Sequence, residues 1–229
     1  MRRALTFPAC GLLALFCLSG LASRPAAALP AFADVRRDYV PSDATLLARD
    51  GQVLQWLRID KSVRRLAWTP LAEISPALVR AVIVSEDKRF MEHDGVDWRA
   101  AGNAAWSNFW GKRTRGASTL TMQLVGLLDE DGQRHGRRSF LAKLSQTAAA
   151  IRLEAAWSKR QIVEAYLNLV PFRGELQGVG AMSQQLFGKW PHGLDERESA
   201  LAAALLRSPN ASPDLVARRA CNLLRETGR

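Results

Sequence analysis

The sequence predicts a mainly α fold with one short β-hairpin near its N-terminus, and three observations carry that expectation. Helix punctuation recurs from Ser75 to the C-terminus, and apolar residues in that stretch repeat at intervals of three and four. Only one strand pair is convincing, formed by two apolar runs between Leu46 and Ile59 around the turn signal Asp50-Gly51. At 229 residues and 48% apolar composition the chain can bury one core of its own. The expected organisation is a signal or membrane anchor over 1–33, a linker with the hairpin over 34–74, and a helical domain over 75–229.

At the N-terminus, Arg2 and Arg3 precede twenty uncharged residues, Ala4 to Ser23, close to the roughly 20 needed to span a bilayer. The flanking arginines keep this end in the cytoplasm, so the remainder is expected on the periplasmic side of the inner membrane. Two Ala-x-Ala sites, Ala26-Ala27-Ala28 and Ala31-Phe32-Ala33, offer cleavage as the alternative to a permanent anchor. The net charge of +10 is scattered along the chain and calls for an anionic partner. Charge alone suits nucleic acid, an anionic bilayer or a pyrophosphate-bearing substrate; the export segment and the lack of any recognition motif set nucleic acid aside. Cys10 and Cys17 lie inside the apolar leader and Cys221 stands alone, so no internal disulfide is expected. His93, His135 and His192 are not spaced as metal ligands.

Ser75-Pro76 reads as a cap followed by proline at the first helical position, opening a helix with Leu78, Val79, Val82 and Ile83 on one face. Asp97, Ser118 and Ser139 are further candidate caps, and Ser158-x-x-Gln161 and Asp195-x-x-Glu198 read as capping boxes. Six to eight helices are expected, with loops at Gln133 to Arg138 and at Gly174 to Gly180 after Pro171.

Three groups of residues can carry chemistry. Glu86 follows Val82 at i+4 and Ile83 at i+3, which puts a carboxylate on the apolar stripe, where loss of water makes it a usable proton acceptor; Phe90 is expected to wall the same face. The bland alternative pairs Glu86 with Lys88 or Arg89 at the surface. Arg115-Gly116-Ala117-Ser118-Thr119-Leu120-Thr121-Met122-Gln123 is a small-residue loop running into a helix, whose free amides and arginines suit a phosphate, although Ser118 as a plain N-cap explains it equally. Lys143 and Gln146 stand at i and i+3 and point the same way, towards a phosphate or simply to solvent. Trp98, Trp106 and Trp110 are candidate sugar-stacking surfaces, though core packing is the commoner fate of tryptophan.

Together these residues resemble the family 51 glycosyltransferases, the peptidoglycan polymerases. Glu86-Asp87-x-x-Phe90-x-x-His93-x-Gly95 is similar to the family's first signature, and Gly116-Ala117-Ser118-Thr119-Leu120-Thr121-x-Gln123 to its second. Ser158-Lys159-x-x-Ile162-x-Glu164-x-Tyr166-Leu167-Asn168, Gly180-Ala181 with Phe187-Gly188-Lys189, and Glu198-x-Ala200-Leu201-Ala202 leading to Pro209 follow the later ones in order. The wording around Gln123, Lys143-x-x-Gln146 and Phe172-x-Gly174-x-Leu176-Gln177-Gly178 is most similar to 1C-type penicillin-binding proteins, whose penicillin-binding domain is not expected here.

The resemblance implies a lysozyme-like lobe with a small membrane-facing lobe, and polymerisation of lipid II by attack of an acceptor 4-hydroxyl on a donor linked to lipid pyrophosphate. Glu86 would be the base, with Asp87 orienting it or holding a divalent cation, Mg or Mn. Phe90, His93, Arg115, Gly116, Ser118, Thr119, Gln123, Lys143 and Gln146 would bind lipid II or the lipid-linked glycan strand, with a separate transpeptidase as a possible partner. Two departures stand out: many members have Glu where this chain has Gln146, and a basic residue where it has Gly126. The alternatives are a degenerate protein that binds lipid II or regulates a synthase, and a lysozyme-like enzyme that cleaves glycan.

Overall fold

The computed structural model describes residues 29–109, 118–129 and 140–228. The short N-terminal helix α1 (Phe32–Arg37) precedes a two-stranded antiparallel ribbon, β1 (Asp43–Leu47) and β2 (Val53–Arg58). Eight further α-helices follow: α2 (Pro76–Glu86), α3 (Trp98–Phe109), α4 (Leu120–Leu128), α5 (Phe140–Ala156), α6 (Lys159–Leu169), α7 (Gly178–Phe187), α8 (Glu196–Leu206) and α9 (Pro213–Thr227). From Ser75 onward the described residues thus hold eight α-helices, within the six to eight expected, and α1 straddles the boundary between the expected anchor and linker.

The hairpin forms where Asp50-Gly51 places it, with Gly51 at φ +83° in the turn and Thr45 opposite Trp56. Its strands are exposed on both faces at Leu46, Leu54 and Leu57, and only Asp43 is buried. The helices surround one core that includes Leu78, Val82, Leu120, Leu124, Leu153, Ile162, Tyr166 and Met182. Within it α2 packs on α8 and α9, α4 lies against α5 and α6, and α6 meets α7.

Local rules explain most helix ends. Both expected capping boxes form: Ser158 accepts from Gln161 N and Asp195 from Glu198 N, with each third-residue side chain reaching back. Asp97 accepts from Ala100 N at the start of α3. Ser75 precedes α2, but its hydroxyl donates to Leu194 O and so ties α2 to the start of α8 instead of capping. Ser118 is not the cap of α4; Thr119 is, accepting from Met122 N. Gly178 to Gly180 is helical rather than loop, because Gly178 at φ +80° brings the chain against Asn168 O, where a Cβ would stand 2.5 Å away. Ser139 and the loop expected over Gln133 to Arg138 lie outside the described residues.

Contacts tie the segment before residue 74 to the helical body. Phe32 meets Trp157 edge-on at 5.3 Å, and Tyr39 donates to Leu66 O. Glu164 accepts from Trp68 Nε1 and Leu71 N, while Asn168 Oδ1 accepts from Thr69 N and its Nδ2 donates to Thr69 O and Glu164 O, each at 2.8 Å. Asn168 is buried, so truncation strands two backbone groups of Thr69 without water. Asn168→Ala is expected to lower unfolding free energy by about 2–4 kcal/mol in urea titration, and a loss under about 0.5 kcal/mol would show that the clamp does not hold the segment.

Candidate active site

Glu86 is the last residue of α2, half-buried. Its Oε1 accepts from the Ser85 hydroxyl at 3.1 Å and its Oε2 from Gln123 Nε2 at 3.3 Å. Gln123 is itself oriented, because the buried Tyr166 hydroxyl donates to its Oε1 at 3.0 Å. Burial, and then the nearby negative charge of Glu86, push the Tyr166 phenol far above its ordinary range, so it remains an O–H donor. The neighbouring cations are engaged elsewhere, Lys88 with Glu226 at 2.6 Å and Arg89 with both oxygens of Asp97. Among the described residues no cation pairs with Glu86, which removes the surface ion-pair alternative.

Asp87 ends α2 and faces the other way. It is buried, and its carboxylate accepts from His93 Nε2 at 3.0 and 3.1 Å and from Leu120 N at 3.0 Å. The anion at the N-terminus of α4 is therefore the protein's own carboxylate, stabilised by a free amide and the helix dipole. Thr119 completes the junction by donating to Gly95 O at 2.6 Å while it accepts from Met122 N. Gly95, at φ +87°, passes so close to α5 that a Cβ would stand 2.6 Å from Ala150 O. These contacts occupy two of the amides expected to face a substrate phosphate at the start of α4, those of Leu120 and Met122, and Thr119 is buried.

The same contacts bear on a divalent ion. The described residues hold no group of three or more His, Cys, Asp or Glu arranged as ligands. Asp87 already serves His93 and Leu120, so the described residues do not fit a cation at this carboxylate.

Beside the junction lies a part-buried group that sequence reasoning missed. The Lys159 ammonium contacts Glu154 at 2.7 Å, donates to His93 O and stands 4.3 Å over the ring of Phe90, while the Thr121 hydroxyl donates to Glu154. Phe90 is wholly buried in this group and begins a short 3-10 turn rather than continuing α2. Arg89 and Asp97 brace its outer side. Burial pushes the Asp97 carboxyl up, but the Ala100 amide and the Arg89 fork together outweigh it and hold the carboxyl below its usual range. This tie therefore stabilises the fold above the ordinary carboxylate range and is lost as pH falls through the lowered value.

Lys143 and Gln146, expected to point the same way, separate. Lys143 is exposed, whereas Gln146 turns inward and its Nε2 donates to Met122 O at 2.6 Å, joining α5 to α4 one residue before Gln123. Ser118 is half-buried beside Thr119; Arg115, Gly116 and Trp110 lie outside the described residues. Trp98 and Trp106 are about two-thirds exposed on α3, at 67% and 68%. Two clefts, of about 510 Å³ beside Trp98 and His93 and about 440 Å³ beneath the hairpin, open on the surface, and neither is lined by Glu86.

Arranged this way, α2, α4 and α6 hold one carboxylate at a helix end, free of cationic partners among the described residues and fixed by an amide, above a buried scaffold of ion pairs. That is the class of site suited to removing a proton from a hydroxyl. The chain belongs to the Transglycosylase family, which it matches over residues 50–227. It is 42% identical over 142 residues to a biosynthetic peptidoglycan transglycosylase of Rhodospirillum centenum, covering 62% of this chain and 60% of that protein. A protein of the same name from Pasteurella multocida is also 42% identical over 142 residues, covering 62% and 56%. Penicillin-binding protein 1C of Escherichia coli is 37% identical over 166 residues, covering 72% of this chain and 21% of that protein. The aligned stretch thus spans less than two thirds of each of these three relatives.

The Gln146 tie needs a donor, which a carboxylate lacks. Gln146→Glu is expected to cost about 1–3 kcal/mol of stability at neutral pH, with the cost shrinking on acidification as the protonated carboxyl regains an O–H for Met122 O. Denaturation of the variant and wild type across pH measures this, and an unchanged midpoint throughout would remove the tie from the account.

Proposed function

We propose that this protein polymerises lipid II into peptidoglycan glycan strands, with Glu86 as the general base. The observation that carries this reading is the state of Glu86: a half-buried carboxylate at the end of α2, oriented by Gln123 and Tyr166, while Lys88 and Arg89 are held by other acids. Glu86 takes the proton from the 4-hydroxyl of the acceptor sugar. The oxygen then bonds to the anomeric carbon of the donor, the bond from that carbon to the pyrophosphate oxygen breaks, and lipid pyrophosphate leaves with inversion. Arg115 and Lys143 supply positive charge to the departing pyrophosphate, a role consistent with the exposed position of Lys143. Asp87 and His93 act as positioning residues, since their polar contacts run into the scaffold. No step is assigned to a metal.

Glycan cleavage by paired carboxylates has less support, because the carboxylates of Asp87 and Glu154 are both buried and engaged, by His93 and by Lys159. The polymerase reading places the helical body as a lysozyme-like lobe outside the inner membrane, with the smaller lobe towards the bilayer. Exposed Trp98 and Trp106 on α3 suit that interface, where tryptophan is enriched. None of the described helices is long and apolar enough to cross a membrane, and the apolar leader lies outside the described residues. The leader is the proposed anchor, and a separate transpeptidase the proposed partner for cross-linking.

The test is polymerisation of labelled lipid II by detergent-solubilised protein. Glu86→Gln is expected to lose at least about 100-fold in rate while still binding lipid II, and Lys88→Ala to match wild type. Undiminished polymer from Glu86→Gln would remove the base assignment; wild-type protein that binds lipid II without polymerising it would point to a regulatory role.

A further inference from the structure

We propose that the cleft between the hairpin and the Trp190–His192 turn is a second glycan-binding site, which holds polymer product at a distance from Glu86. Three tryptophans line it, Trp56 from β2, Trp68 from the following segment and Trp190 after α7, together with Asp43 and Glu73. Its volume of about 440 Å³ is within the range of about 300–1,000 Å³ usual for small-ligand sites. Trp56 and Trp190 meet edge-on at 6.5 Å, so the ribbon and the helical body each contribute one side of the aromatic wall. Trp190 nevertheless leaves half its surface exposed, at 50%.

The Asp43 side chain is 1% exposed, and its Oδ1 accepts from the Ser42 hydroxyl at 2.8 Å. Its Oδ2 is ion-paired with Arg64, whose Nε stands 3.6 Å away, so Asp43 braces the floor of the cleft. Glu73 offers an acceptor at the exposed edge of the cleft. Pyranose rings offer flat C–H faces to aromatic walls and hydroxyl donors to carboxylates, so a neutral glycan matches both features. The exposed Glu73 carboxylate disfavours a pyrophosphate, which separates this cleft from the donor chemistry assigned to Arg115 and Lys143.

Position gives the cleft its use. Glu73 and Pro191 flank the beginning of α2, where Ser75 N donates to Pro191 O, and Glu86 is at the other end of the same helix. Eleven helical residues place the two ends roughly 16 Å apart. A strand leaving Glu86 would find a second hold on the same rigid element, which would slow its release and lengthen the product. That the glycan is the protein's own product rests on the polymerase reading; the affinity of the cleft for glycan does not.

The test is calorimetric titration of the full chain with β-1,4-linked N-acetylglucosamine oligomers, beside Trp190→Ala, Trp56→Ala and Glu86→Gln, each checked for native circular dichroism. Saturable binding is expected, weakened at least about fivefold by either tryptophan variant and unchanged in Glu86→Gln. In the polymerisation assay, Trp190→Ala is expected to shorten the strands while leaving the rate of first bond formation unchanged. Absence of saturable binding, binding undiminished in both tryptophan variants, or binding only of an arginine-containing peptide run as a control would each overturn the site. Because the titration needs no turnover, its failure is distinguishable from failure of the polymerase reading.

Discussion

The buried Asp87 carboxylate joins the end of α2 and the turn that follows it to the start of α4, 33 residues further on. It ends α2, accepts from His93 in the following turn and takes the first amide of α4. A charge withdrawn from water is costly unless its oxygens are satisfied, and here both are. The consequence is geometric: with Asp87 committed inward, the adjacent Glu86 at the end of α2 turns towards Gln123 on α4. Loss of the Asp87 contacts would leave an unpaired buried charge and free α4 from α2, so the orientation of Glu86 depends on its neighbour.

The motif Glu86-Asp87-x-x-Phe90-x-x-His93-x-Gly95 can be understood as one device. Glu86 faces the site, Asp87 latches α4, Phe90 and His93 O receive Lys159, and Gly95 permits contact with the backbone of α5 while Thr119 holds its carbonyl. A later signature supports it from below, since Tyr166 aligns Gln123 and Glu164 and Asn168 fasten the 68–71 segment. Gln146, where many family members carry Glu, is here a strut from α5 to the residue before Gln123. Its amide donates where a carboxylate cannot, so the departure from the family pattern has a structural use.

Much of this was legible in the sequence because it is local. Capping boxes at Ser158 and Asp195, the cap at Asp97, the hairpin at Asp50-Gly51 and the proline start of α2 all follow from residues within a few positions of one another. The failures arose where tertiary contacts overrode a local rule. The Ser75 hydroxyl found Leu194 O, and the Ser118 cap lost its place to Thr119, whose hydroxyl bridges to Gly95. The Glu154 and Lys159 pair crosses the break between two helices, so no helical periodicity reveals it. Tyr166, at i+4 from Ile162, read as an ordinary apolar-face residue, and its hydroxyl gains meaning only once α4 brings Gln123 beside it. Glu86 was found by its place on the stripe, but its freedom from Lys88 and Arg89 depends on Glu226 and Asp97, which sequence spacing does not join to them.

The central claim is a division of labour between adjacent carboxylates: Glu86 for chemistry, Asp87 for position. The most direct measurement is a crystal structure of the protein with an unreactive lipid II analogue in the acceptor position. The account predicts the acceptor 4-hydroxyl within about 2.6–3.2 Å of a Glu86 oxygen, with Asp87 still bound to His93 and Leu120 N. An acceptor hydroxyl or a cation seated on Asp87, with Glu86 turned away, would contradict it.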